Sequence, residues 1–183
     1  MTAVTATSYL SAPEGGWTAD DLAAFPEDGL RYELVDGVLL VSAAPSEEHQ
    51  IALANLFILL ATACPDELRA LTAPFDVRFG PRRQLQPDIV VLPKDRTAAD
   101  RCPVLVVEIL SPSTRATDRT LKRHVFEQGG VPSYWLVDPL VPTLTVLELR
   151  DGVYVEFAVV SGDQAYAAVD PFPVRIVPAQ LLH

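Results

Sequence analysis

The spacing of apolar positions changes several times along the chain, and each change marks an element. Thr18 precedes Ala-Asp-Asp-Leu-Ala-Ala-Phe, an N-cap followed by acids, which predicts a short helix to about Phe25. Residues 32–35 and 38–42 flank Asp36-Gly37 and predict a β-hairpin. Ser46, followed by Glu47 and Glu48, starts a helix that Pro65 ends near Cys64. Its residues Ile51, Leu53, Ala54, Leu56, Phe57, Leu59 and Leu60 cover most of the circumference, the pattern of a helix buried on more than one side. Strands are predicted over 74–79 and 87–92, on either side of the turn Gly80-Pro81-Arg82-Arg83.

Residues 104–110 form a near-continuous apolar run, the signature of a central strand. Ser111-Pro112-Ser113-Thr114 leads into a helix over 115–128, closed by Gly129-Gly130. Strands follow at 134–137, 144–149 and 153–159, the last two joined by Asp151-Gly152 into a second hairpin. The Pro-rich C-terminal tail is expected to pack along the sheet edge. There is no internal repeat and no low-complexity linker, so the pattern predicts one α/β (α+β) domain over 17–183 behind a flexible tail at 1–16.

Composition narrows the class. Of 183 residues, 49% are hydrophobic, enough for a sizeable core and too many for a disordered chain. Two cysteines make no disulfide framework, and no Cys/His spacing resembles a zinc site. No apolar run is long enough to span a bilayer, and the N-terminus lacks the pattern of a secretion signal, so a soluble cytoplasmic protein is expected. The net charge of −10 argues against an evenly basic nucleic-acid binder. Its distribution weakens that exclusion: residues 14–48 sum to −8, whereas 78–123 sum to +5.

Most of the candidate chemistry lies in that basic middle, with Glu33 and His49 upstream of it. Glu108 sits inside the apolar run 104–110, where a carboxylate is costly unless it is paired or bound to a cation. A buried salt bridge to an Arg, or a strand end reaching solvent, would also account for it. Asp88 lies among apolar residues at a strand start, a place where turn and cap residues are common. If the two strands are neighbours, Asp88 and Glu108 share a face, and a divalent cation such as Mg²⁺ or Mn²⁺ would relieve their repulsion. Lys122 shares a helix face with Arg115 and Arg119, beside Arg123, with Leu121 and Val125 on the apolar face; Asp118 is four residues earlier. A solvated basic face with an ordinary ion pair is the plainer account. Glu33 has no turn to explain it, although solvent-facing strand positions often carry Glu. His49 fits capping or surface exposure more readily than a general-base or metal role.

Pro87-Asp88 followed by Glu108-Ile109-Leu110 resembles the PD-(D/E)XK nuclease superfamily. The string from Val107 through Ser111-Pro112-Ser113-Thr114 to Arg119, then Lys122, then Gly130-Val-Pro-Ser-Tyr-Trp-Leu-Val-Asp-Pro139, is similar more narrowly to the Uma family of restriction-endonuclease-like proteins. Tyr32-Glu33-Leu34-Val35-Asp36-Gly37 and the helix start at Ser46 to His49 also fit. The resemblance runs from about Trp17 to the C-terminus.

It implies a mixed β-sheet core flanked by helices and metal-dependent hydrolysis of nucleic-acid phosphodiesters, most naturally DNA, by an endonuclease. By position it implies Asp88 and Glu108 as ligands of Mg²⁺ or Mn²⁺, and Glu33 as an added acid. The backbone of Ile109 is a further candidate ligand beside them. The superfamily lysine position holds Leu110 here, and Lys122 on the following helix is the matching residue. Phe126 stands where the family often has Tyr. Arg115, Arg119 and Arg123, with Arg78, Arg82 and Arg83, are expected to meet flanking phosphates. A homodimer through exposed apolar residues of the C-terminal hairpin is also expected. The competing expectation is an inactive nuclease fold that serves as a nucleic-acid-binding or dimerisation module.

Overall fold

The computed structural model describes residues 12–42, 44–95 and 102–183. The first part of the expected tail and most of the turn between residues 93 and 103 lie outside the described residues. Thr18 and Asp21 cap each other's backbone at the start of α1 (Ala19–Leu22), the reciprocal capping box. The hairpin β1 (Arg31–Val35) and β2 (Val38–Ser42) turns through Asp36 and Gly37, whose φ angles are 51° and 83°. Two successive positive φ values are what a tight two-residue hairpin turn requires, and Asp-Gly supplies them at low cost. Ser46 caps α2 (Glu47–Ala63).

Next come β3 (Leu68–Thr72), the short β4 (Val77–Arg78) and β5 (Gln84–Leu85), then β6 (Ile89–Pro93) and β7 (Leu105–Ile109). One helical segment follows, composed of α3 (Arg115–Thr117), a π turn (Asp118–Lys122) and α4 (Arg123–Gln128). It leads to β8 (Ser133–Asp138), β9 (Thr143–Arg150) and β10 (Val153–Ser161). The chain finishes with β11 (Tyr166–Ala168), β12 (Val174–Ile176) and a 3₁₀ turn at Pro178–Leu182.

Six strands make a mixed sheet in the order β10-β9-β8-β7-β6-β3. β7 and β8 run parallel, joined by the helical segment; the other neighbours in this sheet are antiparallel. A four-stranded sheet, β2-β1-β5-β4, and the pair β11-β12 complete the architecture. This is an α+β fold with a large mixed sheet and few helices, as expected.

Alternation along β7 divides the core into two layers. Leu105, Val107 and Ile109 pack with Trp135, Val137 and the Ala52, Leu56 and Leu60 side of α2. Val106 and Leu110 pack on the other face with Tyr134, Val125, Phe126 and Val35. Glu108 therefore points into the layer between the main sheet, the helical segment and the β1–β2 hairpin.

Four expectations need correction. α2 is buried along one side only, with Ile58 60% exposed, because α2 forms an outer layer of the fold. The C-terminal tail covers the sheet face beside α2, where Asn55 Nδ2 donates to the carbonyls of Leu181 and His183 at 3.0 Å; it does not run along an edge. The strand expected over 74–79 contracts to Val77–Arg78, while β3 forms an unexpected edge strand of the main sheet. Leu121, expected on the apolar face, is 47% exposed, because the wide π turn keeps Asp118 and Lys122 on the inward side.

Candidate active site

The β6–β7 register pairs Ile89 with Val107, so one step further Asp88 stands opposite Glu108. Both are about 1% exposed. Each has its own cation. Arg31 Nη1 and Nη2 both lie 3.1 Å from Asp88 Oδ1. Asp88 Oδ2 lies 3.1 Å from His49 Nε2 and accepts the Ile109 amide at 2.8 Å. Lys122 Nζ is 3.1 Å from Glu108 Oε1, 2.9 Å from Glu33 Oε2 and 3.4 Å from Asp118 Oδ1. Glu33 Oε1 accepts the Gln86 amide at 2.8 Å, which fixes the hairpin against the start of β6.

Local structure explains how these groups converge. Arg31 and Glu33 are two apart on β1 and project to the same side. Lys122 and Asp118 bracket the π turn, a feature frequent at functional sites. His49 belongs to the first turn of α2, whose start is fixed by the Ser46 cap.

Four buried carboxylates thus face two permanent cations, Arg31 and Lys122, with His49 as a third basic group. Burial pushes the Glu108 carboxyl well above its usual range; Lys122 opposes the shift, while Asp118, Asp88 and Glu33 add to it. Burial also raises Asp118, against the pull of Lys122. At Asp88 burial works in the same direction, but the bond and charge of His49, with Arg31 and the Ile109 amide, leave it below its usual value. Burial disfavours the Lys122 ammonium, yet Glu108, Glu33 and Asp118 more than compensate and raise its pKa.

Among the described residues, no three His, Cys, Asp or Glu groups form a ready-made metal cage. The donor set nonetheless fits a hard divalent cation. Its oxygens belong to carboxylates, negative charge is in excess, and neither oxygen of Asp118 makes a well-formed hydrogen bond. Arg31, His49, Asp88, Glu108, Asp118 and Lys122 line a cavity of about 480 Å³, bounded also by Ser42, Ser46 and Ser111 to Thr114, and Glu33 reaches it through Lys122.

Asp88, Glu108, Lys122, Glu33, His49, Asp118 and the Ile109 backbone are thereby brought together. The expected phosphate-binding arginines are not in the cavity wall. Arg82 and Arg83 bind Asp36 at the hairpin turn, through its carbonyl at 3.0 Å and its carboxylate at 2.5 Å. Arg115 pairs with Asp138 at 2.7 Å, Arg123 donates to the Tyr154 carbonyl at 2.9 Å, and Arg119 is exposed. Arg31 is the residue that sequence reasoning missed. Its signal was present: it is the single base within residues 14–48 and lies two positions before Glu33.

Residues 19–179 match the family model Uma2, described as "Putative restriction endonuclease". The chain belongs to the Uma2 family. Membership supports a nuclease function for this Uma2 protein. No curated protein matches the sequence. Among solved structures, the chain is similar to "a putative nuclease belonging to DUF820" from Anabaena variabilis, with 22% identity and a TM-score of 0.74. The match covers 90% of this chain and 97% of that one, a likeness of fold.

Proposed function

We propose that this Uma2 protein is a metal-dependent endonuclease that hydrolyses phosphodiester bonds of DNA. The observation that carries the reading is the buried pair Asp88 and Glu108, side by side on adjoining strands with Lys122 bound to Glu108. Asp88 and Glu108 would hold Mg²⁺ or Mn²⁺, with Glu33 and the Ile109 carbonyl as further oxygen donors. When bound, such an ion supplies an activated water and neutralises phosphate charge.

The protein's own groups do the rest. Arg31 and His49 fix the Asp88 carboxylate. Lys122 orients the attacking water or stabilises charge developing on the phosphate oxygens. Arg82, Arg83, Arg115, Arg119 and Arg123 would meet flanking phosphates outside the cavity. No helix among the described residues is long and apolar enough to cross a membrane. A cytoplasmic location goes with this reading. So does a homodimer through Val153, Val155, Phe157 and Val159, which are exposed on β10, and sedimentation velocity tests it.

The deciding experiment compares purified wild type with Asp88→Ala and Glu108→Ala on plasmid and oligonucleotide substrates. Both variants should lose Mg²⁺- or Mn²⁺-dependent cleavage. Cleavage by both at the wild-type rate would refute the assignment. A second reading, an inactive binding module, draws on Lys122 already neutralising Glu33 and Glu108. A rise in melting temperature on Mn²⁺ titration favours the enzyme, and no response favours the module.

A further inference from the structure

A second cavity, of about 700 Å³ against about 480 Å³ for the acidic one, opens beside the β1–β2 hairpin. Trp17, Tyr32, Val38, Leu39 and Arg82 are among its walls. Phe25 stands edge-on to both Trp17 and Tyr32, with ring centroids 5.1 and 5.0 Å apart, and so holds the two rings in place. Arg82 is exposed, and its Nη2 donates to the Asp36 carbonyl at 3.0 Å. A Cβ at Gly37 would come within 2.2 Å of its Nη2, so only glycine lets the guanidinium lie there. Fixed aromatic rings, apolar walls and a permanent cation together suit a flat heteroaromatic base attached to a phosphate.

The two cavities are linked. Val41 lines both, and it belongs to β2, the edge strand of the four-stranded sheet. A linear polymer crossing that edge at Val41 can place a backbone unit at the acidic site and a neighbouring base between Trp17 and Arg82. The acidic groups also restrict the form of the substrate. Asp88, Glu108, Asp118 and Lys122 are each at most 3% exposed, below the protein surface. A phosphodiester in a rigid stacked duplex does not reach such a site, whereas an unpaired strand bends into it.

We propose that the Trp17–Tyr32–Arg82 cavity binds an unstacked nucleobase, and that the substrate is single-stranded nucleic acid. The substrate assignment rests on the nuclease reading of the acidic site; the base-binding cavity does not.

The chain has two tryptophans, and Trp135 is fully buried, so quenching of tryptophan emission by a bound base reports on Trp17. In metal-free buffer, a short oligothymidylate should quench wild-type emission, and a blunt-ended, fully paired duplex of matched length should not. By anisotropy with a labelled oligothymidylate, Trp17→Ala should bind about tenfold more weakly, the worth of one stacked base. Trp17→Phe should keep most of the affinity. Val38→Glu alters an exposed position and adds an anion beside the cavity without touching the packed rings, so it decides the matter if Trp17→Ala fails to fold. Its affinity should fall severalfold.

Equal binding of duplex and single strand, or wild-type affinity in the folded variants, overturns the cavity assignment. Quenching and Trp17-dependent binding without cleavage in Mn²⁺ would uphold the cavity and overturn the nuclease reading. Cleavage that is indifferent to Trp17 and Val38 would overturn the cavity alone.

Discussion

Arg31 and Asp88, 57 positions apart in the chain, meet through one carboxylate oxygen that lies 3.1 Å from both terminal guanidinium nitrogens. The contact joins the β1–β2 hairpin to the main sheet. It keeps an otherwise costly acid ionised beside Glu108.

Removal of that guanidinium should be felt mainly as lost stability. Arg31→Met leaves Asp88 with His49 and the Ile109 amide, so the cost should be about 2 kcal/mol at neutral pH, below that of a fully orphaned buried charge. Asp88 is held below its usual value near 3.8, so its contribution is present above that pH and is lost as pH falls through the lower folded value. Urea unfolding curves of wild type and variant should therefore converge in acid. Combination with Asp88→Asn should cost less than the sum of the two changes.

Glu108→Gln should have the opposite effect in metal-free buffer. The Glu108 carboxyl is raised above its usual 4.5, so the folded state holds its proton more tightly than the unfolded chain does. The wild type pays for ionisation at neutral pH and the variant does not. The variant should be more stable by about 1 kcal/mol near pH 8, and the gap should close as pH falls toward 4.5. A gap that widens toward acid would contradict the sign of the shift.

Lys122→Met tests the counter-charge role directly. Glu33, Glu108 and Asp118 then share no ammonium, and stability should drop by about 3 kcal/mol without metal. Mn²⁺ should restore more melting temperature to this variant than it adds to wild type, because it takes over the missing charge. Cleavage should fall by about 10²- to 10³-fold even with metal bound. Equal metal shifts in the two proteins would count against the cation cluster.

Gly37→Ala tests the hairpin. A Cβ there meets Arg82 and occupies φ 83°, so a loss of about 2 kcal/mol is expected. Arg82→Ala in the same chain should return little of that loss, because the exposed tip of Arg82 moves aside at low cost and the backbone cost remains. A thermal-melt double-mutant cycle measures the two parts.

Much of this was legible in the sequence because it rests on strict alternation and turn chemistry. Asp36-Gly37 specified the hairpin, and the period of two along 104–110 put Glu108 on the face of Val106 and Leu110, away from Leu105, Val107 and Ile109. The pairing of Asp88 with Glu108 followed once β6 and β7 were neighbours. Other features left weaker traces. β3 contains Arg69 and Ala70 and half-buried partners, an edge-strand composition that does not announce itself. The helical segment carries too few apolar residues to fix its phase, so the π turn and the outward Leu121 could not be read. Arg31 looked like any base at a strand start, since its partner lies far along the chain.

The π turn has one more consequence. Its wide loop spends one residue more than a regular helix of the same span would need. Deletion of a single residue between Asp118 and Lys122 would let the segment run as regular α-helix, with the two side chains three positions apart and still on one face. Among relatives of this protein, a chain one residue shorter at that point would therefore be expected to keep both the architecture and the charge cluster, with a regular helix in place of the π turn.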